Sequence, residues 1–125
     1  AWVVHGSDGL DEITVTGPSY VAQISDGDLR SFEVTPEQAG LRRHEMKDLL
    51  GGDPAYNAEA IRALFDGAPG AYRDVVLLNA AAALVVADTV ADLRAGAELA
   101  ARLIDAGKAR ETLQALVAIS NGRDP

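Results

Sequence analysis

The sequence contains no cysteine, which excludes a disulfide scaffold, a thiolate zinc site and a thiol nucleophile together. It is also short of positive charge, with 11 Lys and Arg against 19 Asp and Glu and a formal charge of −8. Binding a phosphate backbone needs a basic surface, so nucleic acid is not expected as a partner. The deficit still tolerates a phosphorylated small molecule if a divalent cation bridges the like charges. Long hydrophobic runs are missing as well. The longest, Val75 to Ala87, is interrupted by Asn79 and falls short of the ~20 residues that span a bilayer. No basic start leads into an apolar stretch with a small-residue cleavage site, so no signal peptide is expected. A cytoplasmic chain without a membrane partner is the expectation. Ser-His-Asp, zinc, P-loop and dinucleotide patterns are all missing too, and no catalytic residue is assigned.

What is present suits one globular domain. The chain has 125 residues, 48% of them hydrophobic and 24% charged, enough to bury a core. It opens on Ala1, and Trp2-Val3-Val4 reads as a strand already under way, so a piece of something longer is expected. Residues 1–54 contain 3 alanines and residues 55–125 contain 20. A single domain over 1–125 is therefore expected, strand-rich over 1–35 and helical over 36–120, of α/β class with a central β-sheet flanked by helices.

The wholly apolar Trp2–Val4 predicts a central strand buried on both faces. Glu12–Thr16 alternates and predicts a strand with one apolar face, ended by Gly17-Pro18. Tyr20–Ile24 and Leu29–Val34 flank Ser25-Asp26-Gly27-Asp28, whose Asp-Gly predicts a hairpin with Phe32 and Val34 on one face. Thr35-Pro36-Glu37-Gln38 starts a helix that Gly40 stops after one turn. Asp53-Pro54 starts another, with Ile61, Leu64 and Phe65 inward and Gly67 at its end. Ala71 to about Ala87 predicts a buried helix. Leu93–Ala106 and Lys108–Ile119 predict amphipathic helices separated by Gly107, the last with a Leu113, Leu116, Val117 stripe.

The chemistry concentrates in Trp2-Val3-Val4-His5-Gly6-Ser7-Asp8-Gly9-Leu10-Asp11-Glu12. A strand runs into a loop with two glycines and three carboxylates, and in open α/β sheets ligands bind beyond the carboxyl ends of strands. Adjacent carboxylates such as Asp11 and Glu12 repel, and a cation relieves the repulsion. Mg²⁺ suits them, using one or two carboxylates plus substrate phosphates at roughly 2.0–2.1 Å. Solvated turn carboxylates are the alternative reading of Asp8, Asp11 and Glu12. His5, at a strand end, is expected to be a packed group that orients the loop by hydrogen bonds. Arg42-Arg43-His44 reads as a solvated basic patch or a phosphate site. Gly51-Gly52-Asp53 reads as an anion-binding helix start or as a loop with an N-cap.

These residues carry a family likeness. Trp2-Val3-Val4-His5-Gly6 with Asp8-Gly9-Leu10-Asp11-Glu12-Ile13 resembles the signature of anthranilate phosphoribosyltransferase. The likeness continues through Phe32–Glu37, Gly51-Gly52-Asp53 with Asn57-Ala58, Arg73–Leu84 and Leu116-Val117, covering essentially the whole chain in order. It implies a catalytic domain of the nucleoside phosphorylase/phosphoribosyltransferase type, present in part. It implies transfer of a 5-phosphoribosyl group from phosphoribosyl pyrophosphate to anthranilate in tryptophan biosynthesis, releasing pyrophosphate. It assigns Asp11 and Glu12 as Mg²⁺ ligands, with Glu12 also as a substrate-binding residue. Family members are well over twice this length. Their amino-terminal part carries a helical dimerisation domain, a Gly-Thr-Gly-Gly-Asp diphosphate loop and most acceptor contacts. None of these occurs here, so the resemblance implies a homodimer only for the full-length enzyme and an isolated chain that is inactive.

Two other readings compete. A non-catalytic nucleic-acid-binding paralogue of the same fold would need basic patches and no Mg²⁺ ligands, against the −8 charge and the acidic pair. A pyrimidine-nucleoside phosphorylase shares the fold, but its phosphorolysis does not require this pair.

Overall fold

The computed structural model describes residues 1–123, so the last two residues of the expected domain lie outside the described residues. Strands β1 (Trp2–Gly6), β2 (Ser19–Ser25) and β3 (Asp28–Val34) precede helices α1 (Pro54–Phe65), α2 (Ala71–Val86), α3 (Leu93–Asp105) and α4 (Lys108–Ser120). The α/β class holds.

The sheet is antiparallel in the order β1-β2-β3. The hairpin turns where Asp-Gly predicts it. Asp26 and Gly27 have φ of 52° and 87°, the two positive values a tight hairpin turn demands and that Asp and Gly supply most readily. Trp2, Val4, Val21, Phe32 and Val34 share the inner face, where Val21 and Val34 are buried. Trp2 meets Phe32 edge-to-face at 5.3 Å between ring centroids.

Two strand expectations are corrected. β1 is an edge strand, not a central one, and Val3 on its outer face is 67% exposed. Period-2 geometry turns Val3 away from the core that Trp2 and Val4 join. Residues 12–16 form no strand, although Ile13, Thr14 and Val15 are all fully buried. Their backbone partners are largely side chains. The Ile13 amide donates to Asn79, the Thr14 amide to Ser19 Oγ and the Thr16 amide to Thr14 Oγ1. The alternation reports burial, but the segment pairs with no neighbouring strand.

Helix starts follow the sequence signals. The Gln38 side chain accepts from the Thr35 amide at 3.0 Å, and Gly40 ends this short 3-10 helix with φ of 75°. Asp53 caps α1 by accepting from the Tyr56 amide at 2.8 Å. Asp92 caps α3 in the same way through the Ala95 amide. α2 carries the core, with Val75, Leu77, Leu78, Ala81 and Ala82 buried. Leu113, Leu116 and Val117 do form a stripe on α4, but it lies uncovered, with Leu116 62% exposed and no residue of α4 buried.

Candidate functional site

β1 ends at Gly6, and the chain then turns back on itself. The Gly6 amide donates to Leu10 O at 2.9 Å and the Gly9 amide to Gly6 O at 3.0 Å. Gly9 has φ of 96°, a left-handed conformation that glycine adopts without strain. Gly6 is required for space: a Cβ there would stand 2.6 Å from Asp8 Oδ1 and 3.2 Å from Thr14 Cβ.

The three carboxylates of the loop have different work. Asp8 is a structural staple. Its Oδ2 accepts from Thr14 Oγ1 at 2.5 Å and Thr16 Oγ1 at 2.6 Å, and its Oδ1 accepts from the Leu10 amide at 3.1 Å. Burial pushes this carboxyl upward, but the Thr14 and Thr16 hydroxyls and the Leu10 amide outweigh it and hold Asp8 below the usual aspartate value. Asp11 and Glu12 are exposed, and among the described residues neither makes an ion pair or a side-chain hydrogen bond. Burial, and then the charge of Asp11 beside it, push the Glu12 carboxyl above its usual value. Two adjacent anions, one of them already disfavoured as a charge, are left facing solvent.

The segment after the pair is fixed from α2. Asn79 Oδ1 accepts from the Ile13 amide at 3.0 Å, and its Nδ2 donates to Ile13 O at 2.8 Å and Val75 O at 3.0 Å. The His44 amide donates to Val15 O at 2.9 Å, while its ring Nε2 lies 2.7 Å from Asp74 Oδ2. The His44 side chain is only 6% exposed. It is therefore neither a solvated patch nor a phosphate site, and Arg43 beside it pairs with Glu37 at the surface. The sequence signal for Asn79 was a lone amide in an apolar run. His44 carried no such signal, because its partner lies 30 residues away.

Two other candidates move. His5 lies exposed on the outer face of the sheet, and its side chain makes no hydrogen bond among the described residues. Asp8 takes the loop-orienting role expected of it. Gly51-Gly52-Asp53 is a loop with an N-cap: the Asn57 side chain bonds both the amide and the carbonyl of Gly52, at 2.8 and 3.0 Å.

Two hard oxygen donors without protein partners fit a magnesium ion that takes its remaining ligands from phosphates and water. Among the described residues no three Asp, Glu, His or Cys side chains converge as a complete metal cage. Nor is any described helix long and apolar enough to cross a membrane.

Known proteins resemble this chain in sequence and in fold. The chain is 61% identical over 124 residues to an anthranilate phosphoribosyltransferase of Parvibaculum lavamentivorans, covering 99% of this chain and 36% of that protein. It is 64% identical over 121 residues to the Azospirillum brasilense enzyme of the same name, covering 97% and 34%. The chain thus spans about a third of the length of the curated relatives it matches. Among solved structures, anthranilate phosphoribosyltransferase from Thermus thermophilus superimposes with a TM-score of 0.83 at 34% identity, over 94% of this chain and 35% of that one. The Saccharomyces cerevisiae enzyme in complex with PRPP and Mg superimposes with a TM-score of 0.81 at 25% identity, over 90% and 33%. A family model described as "Glycosyl transferase family, a/b domain" matches residues 1–110. The chain, with its β1 loop, acidic pair and α2 anchor, belongs to that glycosyl transferase family.

Proposed function

We propose that this chain is the carboxyl-terminal part of the catalytic α/β domain of an anthranilate phosphoribosyltransferase. The reaction joins the amine of anthranilate to the ribosyl carbon of phosphoribosyl pyrophosphate and breaks the bond to pyrophosphate. The observation that carries this reading is the Asp11–Glu12 pair, set in a hydrogen-bonded loop yet left without side-chain partners among the described residues, in a chain 61% identical to an enzyme of that name.

Asp11 and Glu12 would hold Mg²⁺, and Glu12 would also contact the substrate. When bound, the ion neutralises charge on the departing diphosphate. Neither carboxylate needs to move a proton, and no residue of this chain is assigned as an acid or base. Burial and the neighbouring Asp11 charge raise the Glu12 carboxyl, a cost that a cation beside the pair would relieve. Asp8, which already accepts three hydrogen bonds within the loop, would keep the loop in shape.

Alignment of both substrates can supply ~7–11 kcal/mol of barrier reduction. The diphosphate loop and acceptor pocket would lie in the two-thirds of the enzyme outside this chain, as would the helical domain through which it forms a homodimer. The chain alone should therefore transfer nothing. The setting we assign is the cytoplasm, in tryptophan biosynthesis, with no nucleic-acid or membrane partner.

The test is the Asp11→Asn, Glu12→Gln double variant of the complete enzyme. It should keep its circular dichroism and melting temperature and lose magnesium-dependent turnover. Unchanged turnover with unchanged magnesium dependence would overturn the proposal.

A further inference from the structure

The acidic pair is aimed by a residue on a distant helix. We propose that Asn79 is a positioning residue that sets the direction of Asp11 and Glu12 toward the metal, an inference that rests on the metal-holding role just proposed. Asn79 is half-buried in α2, and its side-chain amide makes three hydrogen bonds. Oδ1 takes the Ile13 amide, and the two Nδ2 hydrogens go to Ile13 O and Val75 O. Only one orientation of the amide satisfies all three bonds, because a flip would set a donor against the Ile13 N–H. Both backbone polar groups of the residue that follows Glu12 are thereby locked to a rigid helix.

Ser19 takes the Thr14 amide, and Asp8 takes the Thr14 and Thr16 hydroxyls, but Asn79 alone bonds the backbone of the residue adjoining the pair. Asp8 fixes the loop on the amino-terminal side, through the Leu10 amide, and His44 fixes Val15, two residues beyond Ile13. Asp11 and Glu12 themselves have no side-chain tether among the described residues. A packing role alone would be better served by leucine, which is close to asparagine in shape and suits a helix whose neighbours at 78, 81 and 82 are buried and apolar. Outer partners that orient metal ligands typically change metal affinity by about 10-fold to 100-fold when removed.

Mn²⁺ binding in the presence of phosphoribosyl pyrophosphate, followed by electron paramagnetic resonance on the complete enzyme, tests this. Asn79→Leu should weaken Mn²⁺ binding by about 10-fold or more. Leu64→Ala, a core truncation on α1, should lower the melting temperature and leave Mn²⁺ affinity unchanged. Equal Mn²⁺ affinity in Asn79→Leu and wild type would overturn the proposal, as would an equal loss in Leu64→Ala. If Asn79→Leu does not fold, wild-type hydrogen exchange decides: the Ile13 amide should be protected, and exchange as fast as at Gly27 would overturn the bond itself. The Asp11→Asn, Glu12→Gln variant separates the two levels. Undiminished Mn²⁺ binding there would remove the metal-holding role and this inference with it. Lost binding there with full binding in Asn79→Leu would remove this inference alone.

Discussion

Gly96 on α3 lies so close to Ala81 on α2 that a Cβ at Gly96 would stand 2.8 Å from both the Cα and the Cβ of Ala81. The contact is backbone against backbone, made possible by two small residues at the crossing of the two helices. It seats α3 against the helix that also supplies Asp74 to His44 and Asn79 to Ile13.

Gly96→Ala should destabilise the protein. Within a helix the change gains about 0.8–1.0 kcal/mol of propensity. Overpacking a core typically costs about 1–3 kcal/mol, and here the obstructing atoms include main chain that cannot rotate away. The steric term should win, and urea unfolding would show a lower midpoint. A higher midpoint would mean that the helices separate at little cost.

Gly6→Ala should act on the loop itself. Its new methyl would meet Asp8 Oδ1 at 2.6 Å, and moving that carboxylate breaks its bonds to Thr14 and Thr16. We expect a loss of about 1–3 kcal/mol, with faster amide exchange at Leu10 and Thr16. Unaltered exchange at both positions would show that the loop does not depend on Asp8.

The two shifted carboxyls should pull stability in opposite directions with pH. Asp8 has a lowered value, so its contribution is complete above the unfolded aspartate value of about 4 and is lost as pH falls through the lower folded value. Asp8→Asn should therefore be most damaging at neutral pH and flatten the acid limb of the stability curve. Glu12 has a raised value, so its contribution is present below the unfolded value and lost as pH rises through the folded one. Glu12→Gln should stabilise the metal-free chain above that range. Thermal melts between pH 2 and 7 would read both slopes, and parallel curves for wild type and Asp8→Asn would contradict the first.

The His44–Asp74 pair should behave as a buried coupling. Asp74→Ala strands an imidazole that is only 6% exposed, at a cost of about 1–3 kcal/mol for an unmade buried hydrogen bond. A double-mutant cycle with His44→Ala should return a coupling of at least about 0.5 kcal/mol, since the side chains touch. Additive losses would mean that each residue acts alone.

Most of the fold was legible because its signals are local. The Asp26-Gly27 turn, the Thr35 and Asp53 helix starts and the glycine between α3 and α4 each act within a few residues. What could not be read depends on distance. Ile13 is bound by a side chain 66 residues away, so an alternating segment that looked like a strand is instead an extended segment tied down by side chains. His44 looked solvated beside two arginines because nothing local announces Asp74. The α4 stripe was legible as a pattern, but a pattern does not say what covers it. For the candidate site, the carboxylates were found from the sequence, while the division between the hydrogen-bonded Asp8 and the untethered Asp11 and Glu12 needed coordinates.

The outer face of the sheet, with Val3, Tyr20, Ile24 and Leu29 exposed, also sets the colloidal behaviour of the chain. At neutral pH a formal charge of −8 opposes the approach of copies through that face. Near the isoelectric point of about 4.6 the repulsion vanishes while the apolar surface remains, and short-range attraction dominates. Solubility should then fall steeply on mild acidification, well before the carboxylate bonds of the β1 loop begin to titrate, and moderate salt at neutral pH should shift the chain the same way by screening its charge.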